Sequence, residues 1–478
     1  MTTIVWFRQD LRVSDNPALD EATRRGPVLP VYILETPDQS GDGHPLGGAS
    51  RWWLHHSLAA LKKDLPGLVF LRGSARHLIL ELVQETGADA VYWNRCYEPH
   101  AIERDSALKE ALKTDLIDAK SFKASLLFEP WDVETKTGGP YKVYSPFWKA
   151  AQQISVPDPL PAPEEIDFAA YDKSDSLSDL ELLPTKPNWA EGWEDIWQPG
   201  EAGAKDRLIE FLDHGLSGYG DKRNRPDLPN VSRLSPHLHF GDISPRQVWS
   251  ATQHATDRKS SLASDGHKFL SEIAWREFSY HLLYHFPQLP EKNWRPAFDA
   301  YPWRESEEDL TKWQKGLTGY PMVDAGMREL WHTGYMHNRV RMLAGSFLVK
   351  HLRLHWKHGE TWFRDTLVDA DLANNSASWQ WVAGSGADAA PYFRIFNPIS
   401  QGPKFDPDGK YVRRWVPELA KLPTKHLFSP FEAAASVLRE AGVRLGETYP
   451  YPIVDHGKAR QAALDGYEDV KSAGQDAA

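Results

Sequence analysis

The sequence predicts an α/β amino-terminal domain with a doubly wound, Rossmann-like parallel sheet, followed by an all-α carboxy-terminal domain. Three observations support this fold class: short apolar runs alternate with helical patterns, a Pro- and acid-rich segment follows them, and the pattern after Gly200 is helical. Alternating strands and helices are typical of parallel sheets. A chain of 478 residues is long enough for two or three domains. We therefore predict a domain over 1–130, a linker over 131–200 and a helical domain over 201–478.

Five short runs rich in β-branched and aromatic residues predict the strands of the first domain. They are TTIVWF, VLPVYIL, LVFLRG, DAVYWN and LIDAKSF. Helical patterns lie between them, such as RWWLHHSLAALKKDL and SARHLILELVQETG. The glycine-rich fingerprints G-x-G-x-x-G and G-x-x-x-x-G-K-[ST] are both missing. We expect a nucleotide-binding shape without the usual phosphate-binding loop.

The segment from about residue 154 to 200 is rich in Pro, Asp, Glu and Ser, so it can bury little apolar surface and is predicted to connect the domains. Downstream of it, apolar residues recur at i, i+3 and i+4, which predicts helices. These helices are predicted in AKDRLIEFLDHGL, PRQVWSATQHA, GHKFLSEIAWREFSYHLLYHF, PMVDAGMRELWHTG, HNRVRMLAGSFLVKHLRLHW and GETWFRDTLVDADLANN.

The composition argues against a membrane protein, a secreted protein and a cysteine-rich protein. Apolar content of 41% and charged content of 25% are ordinary for a soluble protein. No apolar run reaches the roughly 18 residues of a membrane span, and Arg8 and Asp10 interrupt the opening where a signal peptide would be apolar. Cys96 is the single cysteine, which excludes a disulfide framework and a multi-cysteine metal site. We expect a cytoplasmic protein without a metal.

The charge is distributed unevenly. A net charge of −11 argues against indiscriminate binding of nucleic acid. From Trp331 to Arg364, however, six Lys and Arg stand against one Glu, with five His between them. A local basic face can attract phosphates, whereas an ordinary solvated helix face would mix both signs. The pattern favours a basic binding face in the helical domain.

Polar residues occur where helical patterns predict burial. In SEIAWREF, Glu272, Trp275 and Arg276 share one helix face. Further polar residues stand among the apolar positions of later helical patterns, at Asn338, Arg339, Arg341, Asp369, Asp371, Asn374 and Asn375. Burying such groups without partners is unfavourable. The pattern therefore indicates a polar, planar ligand in the helical domain.

Collinear motifs over nearly the whole chain resemble those of the DNA photolyase and cryptochrome family. They are WFRQDLRVSDNPAL, RLSPHLHFGDISPRQVW, IAWREF, TGYPMVDAGMREL, GYMHNRVRMLAGSFLVK, DADLANNSASWQWVAGSGADAAPYFRIFNP and YPYPIVDH. The resemblance implies a helical domain that holds FAD in a U shape, active as FADH⁻. It also implies a second, light-harvesting antenna chromophore in the α/β domain. A folate (methenyltetrahydrofolate) is expected there in preference to a deazaflavin, with another flavin as a further alternative.

The resemblance also implies a flavin site. Asn375 would face the flavin N5, and Arg341 would pair with Asp369. The hydroxyl groups of the SRLS run suit a pyrophosphate at a helix start. The full cofactor-binding set is Tyr219, Ser232, Arg233, Leu234, Ser235, Glu272, Arg276, Asn338, Arg341, Asp369, Asp371 and Asn375. Val231 and Phe269 depart from the pattern, since relatives often carry Thr and Trp there.

Tryptophans have two implied roles. Trp379 would be the flavin-proximal member of an electron-hopping chain that Trp356 and Trp303 complete. Trp381 and Trp275 would wall the cavity that receives a flipped-out lesion. The implied catalytic set is Glu272, Trp379, Trp356, Trp303 and Asn375. The implied contacts to DNA and lesion are Arg223, Trp275, Asn338, Arg339, Met342, Trp381, Gln401 and Lys404.

The implied activity is light-driven repair of cyclobutane pyrimidine dimers in UV-damaged DNA, the reaction of a deoxyribodipyrimidine photo-lyase, which is a carbon–carbon lyase. Asn338 and Met342 resemble the dimer branch, since enzymes for the (6-4) photoproduct typically place a His pair in this region. We expect a monomer that is cytoplasmic and associates with the nucleoid when it binds DNA.

Two other functions stay open. A cryptochrome-type blue-light receptor is one, because HLRLHWKHGETWF is similar to plant cryptochromes. Those proteins usually carry Asp where Asn375 stands, and a long tail, whereas about twenty residues follow YPYPIVDH. A light-independent flavin oxidoreductase is the other, although no proton-transfer dyad accompanies the predicted flavin site.

Overall fold

The computed structural model describes residues 1–36, 43–388 and 393–476. The chain forms two compact units built from interleaved segments. The first unit contains Met1–Tyr219, Ser232–Pro287 and Val368–Ala373, and the second contains Gly220–Val231, Gln288–Leu367 and Asn374–Ala478. Residues 389–392 of the motif that begins DADLANN lie outside the described residues.

A five-stranded parallel sheet lies in the first unit. Its strands are β1 (Thr3–Phe7), β2 (Val28–Leu34), β3 (Val69–Arg72), β4 (Ala90–Asn94) and β5 (Asp118–Phe122), in the order β3-β2-β1-β4-β5. All five predicted strands are confirmed. The order reverses between β1 and β4, as it does in doubly wound sheets.

Helices connect these strands and continue the first unit. They are α1 (Pro17–Arg25), α2 (Gly48–Asp64), α3 (Ala75–Thr86), α4 (Pro99–Thr114) and α5 (Tyr144–Ala151). The first begins sharply because the Asn16 side chain accepts the Leu19 amide and Pro17 opens the first turn. Apolar side chains of the strands and of α3 and α4, such as Trp6, Ile79 and Leu108, pack into one core.

The acid- and Pro-rich segment over 152–200, which is fully described, contains short 3₁₀ turns at Leu177–Leu180 and Trp193–Asp195 and no α-helix. Phe168 and Asp175 form isolated bridges with residues of β2 and β3. This segment of low apolar content is thus extended and contacts the edge strand β3 and its neighbour β2.

Later helices of the first unit are α6 (Glu201–Glu210), which continues as a π-turn over Phe211–Gly215, α7 (Tyr219–Lys222), α8 (Ser235–Phe240), α9 (Pro245–Arg258) and α10 (Ala263–His285). The helix α7 crosses the boundary between the units: Tyr219 belongs to the first unit, and the second unit begins at Gly220.

Among the described residues of the second unit, the regular secondary structure is helical, apart from isolated bridges such as Leu445 with Tyr449. Its helices are α11 (Glu307–Gln314), α12 (Pro321–Thr333), α13 (Asn338–Ser346), α14 (Trp356–Thr366), α15 (Leu372–Ala383), α16 (Gln401–Phe405), α17 (Lys410–Trp415), α18 (Thr424–Leu427), α19 (Ala435–Ala441) and α20 (His456–Asp476). Short 3₁₀ turns lie at Ser260–Leu262, Pro296–Ala300, Pro417–Leu419 and Pro430–Glu432, the first of them in the first unit. Among the described residues, no helix has the length and apolarity that a bilayer crossing requires.

Two predicted helices are each broken in the structure. The pattern over 337–356 ends in a π-turn at Phe347–His351, after which Arg353 adopts a positive φ of 55°. The pattern over 359–375 is interrupted between α14 and α15, where Asp371 donates its backbone N–H to the carbonyl of Asp369. Side-chain contacts of Asp369 and Asp371 hold this turn, so tertiary structure overrides the helical period there.

Candidate functional site

The predicted site residues fall into both units. Those in the first unit are Tyr219, Ser232, Arg233, Leu234, Ser235, Glu272, Trp275, Arg276, Asp369 and Asp371. Those in the second unit are Arg223, Trp303, Asn338, Arg339, Arg341, Met342, Trp356, Asn375, Trp379, Trp381, Gln401 and Lys404. Each group is described within its own unit.

Asp371 is the centre of a buried polar network in the first unit. The Tyr280 hydroxyl donates a hydrogen bond to its carboxylate, and His239 Nδ1 lies 3.8 Å away. Burial alone would favour the neutral acid, but the contacts with His239, Arg276 and Tyr280 more than offset it and hold the pKa of Asp371 below its ordinary value. Asp371 is therefore a buried carboxylate that can accept a hydrogen bond from a ligand.

The SRLS run forms a tight turn into α8. Arg233 has a positive φ of 53°, which is uncommon for a residue with a side chain. The Ser232 hydroxyl accepts the Leu234 amide at 3.4 Å, and the Ser235 hydroxyl donates to Asp369 at 2.5 Å. The structure thus brings Ser235 and Asp369 together, although the sequence separates them widely. Tyr219 also belongs to the first unit, and its ring contacts Phe211 and Phe269.

One face of α10 carries Glu272, Trp275 and Arg276, as the sequence predicts. Glu272 forms an ion pair with Lys268 one turn earlier, at 2.8 Å. Arg276 donates to the backbone carbonyls of Ser125 and Leu238 at 2.8 and 3.3 Å. Its guanidinium is thereby fixed among backbone groups, so Arg276 positions the surrounding segments as well as any ligand.

Trp275 is covered on one side by a residue that the sequence analysis did not identify. The Tyr144 ring stacks on it with centroids 3.7 Å apart and planes 8° apart. The Trp275 side chain nevertheless stays partly exposed. Part of the Trp275 side chain therefore remains accessible beside the stacked Tyr144 ring.

In the second unit, Glu360 orients the Asn375 amide. Asn375 Nδ2 donates to the Glu360 carboxylate at 2.9 Å and to the Glu360 backbone carbonyl at 3.0 Å. Both N–H groups of the amide are thus in use, and Oδ1 is the polar atom that the side chain can offer as an acceptor. No sequence pattern indicates Glu360 or Tyr144 as a site residue.

The start of α13 carries three further predicted residues. Asn338 is its exposed first residue, and Met342 lies one turn later and is partly buried. Arg341 donates its Nε–H to the Met336 carbonyl at 2.6 Å and lies over the Tyr335 ring. The predicted pairing of Arg341 with Asp369 stays a prediction.

Arg339 is within electrostatic range of two other arginines of the second unit, and we call the three residues the arginine cluster: Arg223, Arg339 and Arg394. Burial, together with the positive charges of Arg223 and Arg394, lowers the pKa of Arg339. Arg339 donates to Asn224 Oδ1 at 2.7 Å and lies over the Phe405 ring. Gathering like charges is unfavourable by itself, so such a cluster is typical of a site for anions.

Two more predicted DNA contacts are near this cluster. The exposed Lys404 also lies over the Phe405 ring, at 5.2 Å, and Gln401 opens the same short helix, α16. Arg394, in contrast, was not among the predicted residues. The sequence offers a signal for it, because it is a single cation within the aromatic run YFRIF.

Two of the predicted electron-transfer tryptophans lie on or against α14. Trp356 is its first residue and is fully buried, and a Cβ at Gly359 would lie 2.1 Å from the Trp379 ring. Positions 356 and 359 are three apart, so they lie on the same side of the helix. The absence of a side chain at Gly359 therefore lets the Trp379 ring lie against α14, one turn from the position of Trp356.

The remaining tryptophans of the prediction are less deeply buried. Trp303 lies 4.5 Å from the Tyr301 ring and 4.9 Å from the His355 ring, measured between centroids. Trp381 is partly exposed on α15, two residues beyond the buried Trp379. The two neighbouring tryptophans therefore lie in different environments, and the separation of their roles stays a prediction.

These residues fit the chemical demands of FAD. An isoalloxazine ring presents N–H donors and carbonyl acceptors at its edge, and Asp371 and Asn375 supply acceptors that are fixed by their own partners. The hydroxyl-bearing turn at Ser232 and Ser235 is polar and strained, as ligand-binding turns often are. A flavin site is thus consistent with the donors and acceptors of each unit.

Two family models match the chain. The model described as "DNA photolyase" matches residues 3–164, and the model described as "FAD binding domain of DNA photolyase" matches residues 269–469. The α/β region and the helical region thus each match a part of the same family.

Individual relatives give the same result. The chain is 55% identical to a deoxyribodipyrimidine photo-lyase of Agrobacterium fabrum, over 98% of each chain. It is 39% identical to cryptochrome-1 of Arabidopsis thaliana, over 96% of this chain and 69% of the relative. The structure matches that of a bacterial class III photolyase from Agrobacterium tumefaciens with a TM-score of 0.95 and 54% identity, over 98% of each chain. The chain belongs to the DNA photolyase and cryptochrome family, and it carries that family's FAD-binding domain.

Proposed function

We propose that this protein repairs cyclobutane pyrimidine dimers in UV-damaged DNA by light-driven electron transfer from reduced FAD. The observation that carries this proposal is the arginine cluster. Clustered Arg side chains neutralise DNA phosphates and release counterions, which supplies most of the sequence-independent affinity for DNA. A light sensor that does not bind DNA has no need to hold Arg223, Arg339 and Arg394 against their mutual repulsion.

Aromatic faces would recognise the lesion. Enzymes of this class extrude the damaged bases from the duplex, which costs a few kcal/mol and least for damaged bases. Stacking on an aromatic side chain returns roughly 1–3 kcal/mol per base. We infer that Trp275 and Trp381 each offer such a face, that Glu272 hydrogen-bonds the polar edge of the dimer, and that Asn338 and Met342 lie at its flank.

We infer that FAD is held by the predicted cofactor-binding residues. The Ser232–Ser235 turn would bind the phosphates, Tyr219 would lie beside them, and Asp371 and Asn375 would accept hydrogen bonds from the ring. Bound and reduced, FAD supplies the electron that light transfers to the dimer. The protein keeps Asp371 ionised and the Asn375 amide in one orientation, so neither acceptor must reorganise when the cofactor binds.

The tryptophans along α14 would reactivate the enzyme. Trp379, Trp356 and Trp303 can pass electrons inward to a flavin that has become oxidised, because indoles can lose one electron transiently. The position of Trp379 against Gly359, one turn from Trp356, supports this order.

Several finer assignments accompany this proposal. We propose the domain division 1–130, 131–200 and 201–478, with the antenna chromophore in the first domain and a folate as that chromophore. We also propose that the protein acts as a monomer in the cytoplasm and associates with the nucleoid through DNA.

A cryptochrome-type receptor is the second candidate, and its support is the 39% identity to a plant cryptochrome. Asn375 argues against it, because plant cryptochromes usually carry Asp at this position.

The deciding experiment uses the flavoprotein with FAD reduced and a duplex that contains one thymine dimer. Blue light should restore intact thymines with the parent protein, while the dark sample and a duplex with a (6-4) photoproduct should stay unrepaired. Glu272→Ala should lower the repair yield per photon more than the affinity for the damaged duplex, and Trp275→Ala should do the reverse. Light-dependent flavin chemistry without loss of dimers would support the receptor instead.

A further inference from the structure

His355 lies between the two outer tryptophans of the proposed electron path. Its ring centroid is 4.9 Å from that of Trp303, with planes 67° apart, and 5.5 Å from that of Trp356, with planes 31° apart. One imidazole thus contacts both indoles, and all three residues belong to the second unit.

The His355 ring is fixed by its place in the fold. It is the N-cap of α14, and its Nδ1 accepts the backbone N–H of Lys357 at 3.2 Å. Because Nδ1 is an acceptor, the neutral ring carries its proton on Nε2. The partner indole of Trp356 is also held, since its Nε1 donates to Asn293 Oδ1 at 2.9 Å.

Electrostatics keep this ring neutral. Burial, His358 and Lys357 lower the pKa of His355 to about 4, against the weaker opposing effect of Asp299 and Glu305. The amino terminus of a helix also disfavours a cation. The groups that face the ring are therefore two basic residues of α14 and two acidic residues from outside it, and their sum leaves the imidazole uncharged near neutral pH.

We propose that His355 is a positioning residue for electron transfer between Trp303 and Trp356. It holds the two indoles in contact with one neutral ring, so the imidazole adds no positive charge to that of Lys357, whose Nζ lies 5.8 Å from the centroid of the Trp356 ring. Trp303 loses one electron, Trp356 regains one, and no proton moves at His355. The overall oxidant is a light-excited oxidised flavin, and the overall reductant is a soluble thiol that refills Trp303. This inference rests on the proposed function, through its tryptophan path.

Two variants separate the ring from the cap. His355→Asn keeps a side chain that caps helices well but removes the ring, whereas His355→Phe keeps an aromatic ring and removes the cap. We expect photoreduction of oxidised FAD by a thiol to slow at least about threefold in His355→Asn, because displaced reacting groups lose rate steeply, and to stay within about twofold of the parent in His355→Phe.

A pH profile gives a reading that a purely structural role would not change. As pH falls from about 7 to about 4.5, photoreduction should slow in the parent, because His355 begins to charge, and should stay flat in His355→Phe. In the dark, the holoprotein labelled with 5-fluorotryptophan should show ¹⁹F resonances of Trp303 and Trp356 that shift over the same pH range. Those shifts should vanish in His355→Asn, with the two resonances assigned through Trp303→Phe and Trp356→Phe.

The outcomes distinguish this inference from the proposal on which it rests. Parent-like photoreduction in His355→Asn, or unchanged pH-dependent resonances in that variant, overturns the role of His355. If Trp303→Phe and Trp356→Phe also photoreduce like the parent, the tryptophan path itself is wrong. Flavin content and thermal midpoint are measured for each variant, and a slow His355→Asn that keeps both, next to a fast His355→Phe, supports the inference.

Discussion

Tyr144 and Trp275 stack face to face, with ring centroids 3.7 Å apart and planes 8° apart. The Tyr144 hydroxyl donates to the Ser271 carbonyl at 2.5 Å, one turn before Trp275 on the same helix. Both rings of the stack are therefore fixed to α10, Trp275 as a residue of that helix and Tyr144 through its hydroxyl group. The indole is held in one orientation before any DNA arrives, which reduces the ordering that binding must produce.

Replacing Tyr144 with Leu should weaken binding to a dimer-containing duplex by roughly 2- to 12-fold, since an aromatic pair contributes about 0.5–1.5 kcal/mol beyond its buried area. Affinity for undamaged duplex should barely change, because phosphates and salt govern it. Tyr144→Phe is the matched control, since it keeps the stack and removes only the hydrogen bond to Ser271. Dissociation constants at one salt concentration check this. Equal losses on both duplexes would mean that the stack does not serve the lesion.

Replacing Arg394 with Gln should weaken binding to damaged and undamaged duplex alike. It should also lower the slope of log K against log salt by about one, as expected for one lost phosphate contact. The measurement is a salt titration of duplex affinity. Arg24→Gln is the control, because Arg24 is exposed on α1 and pairs with Asp20. An unchanged salt slope in Arg394→Gln would exclude this residue from the phosphate contacts.

Replacing Asn375 with Asp should change which oxidation state of FAD persists in air after photoreduction. An ionisable group would then replace an amide beside the Glu360 carboxylate, and two acids that share a site cannot both ionise easily. Glu360→Ala should alter the same spectra less, because the backbone carbonyl still holds the amide. Absorption spectra before and after illumination report the result, with Asn374→Asp as the neighbouring control. Spectra identical to the parent's in both variants would remove Asn375 from the flavin site.

Glu277 should make the fold less stable as pH rises. Burial raises its pKa to about 7, although Arg276 and the amides of Leu127 and Phe128 oppose the shift. The folded protein therefore keeps a proton on Glu277 that the unfolded chain releases above about pH 4.5. The stability that this proton contributes is complete below that pH and is lost as pH rises through about 7. Relative to the parent, Glu277→Gln should gain about 1–3 kcal/mol at pH 8 compared with pH 5.

Urea unfolding of parent and variant at both pH values measures this difference. Glu103→Gln serves as the control, because Glu103 is exposed on α4 and should show no such gain. A pH-independent difference between Glu277→Gln and the parent would show that Glu277 does not titrate in this range.

The sequence predicted the strands and helix faces that depend on residues close together in the chain. The five strands follow from short β-branched runs, and the shared face of Glu272, Trp275 and Arg276 follows from helical spacing. The breaks within 337–356 and 359–375 do not follow from local spacing. At the second break, Asp369 accepts a hydrogen bond from Ser235, which is distant in the sequence, and no local pattern indicates that contact.

The same limit applies to the site. The contact partner of Tyr144 is Trp275, and that of Glu360 is Asn375, so both partners are distant in the sequence. His355 stands at the boundary of a helix. No periodicity marks them, and Gly359 is informative only once the Trp379 ring is seen against it.

The interleaving of the two units constrains how the protein can be made. Val368–Ala373 belongs to the first unit, although Gln288–Leu367 of the second unit precedes it in the chain. A ribosome therefore cannot release a complete first unit before it has translated nearly half of the second. Until residue 373 emerges, Tyr280 has no Asp371 to bind and Ser235 has no Asp369. These two hydroxyl groups thus lack their carboxylate partners until that point of synthesis, and no single cut in the chain yields the first unit whole.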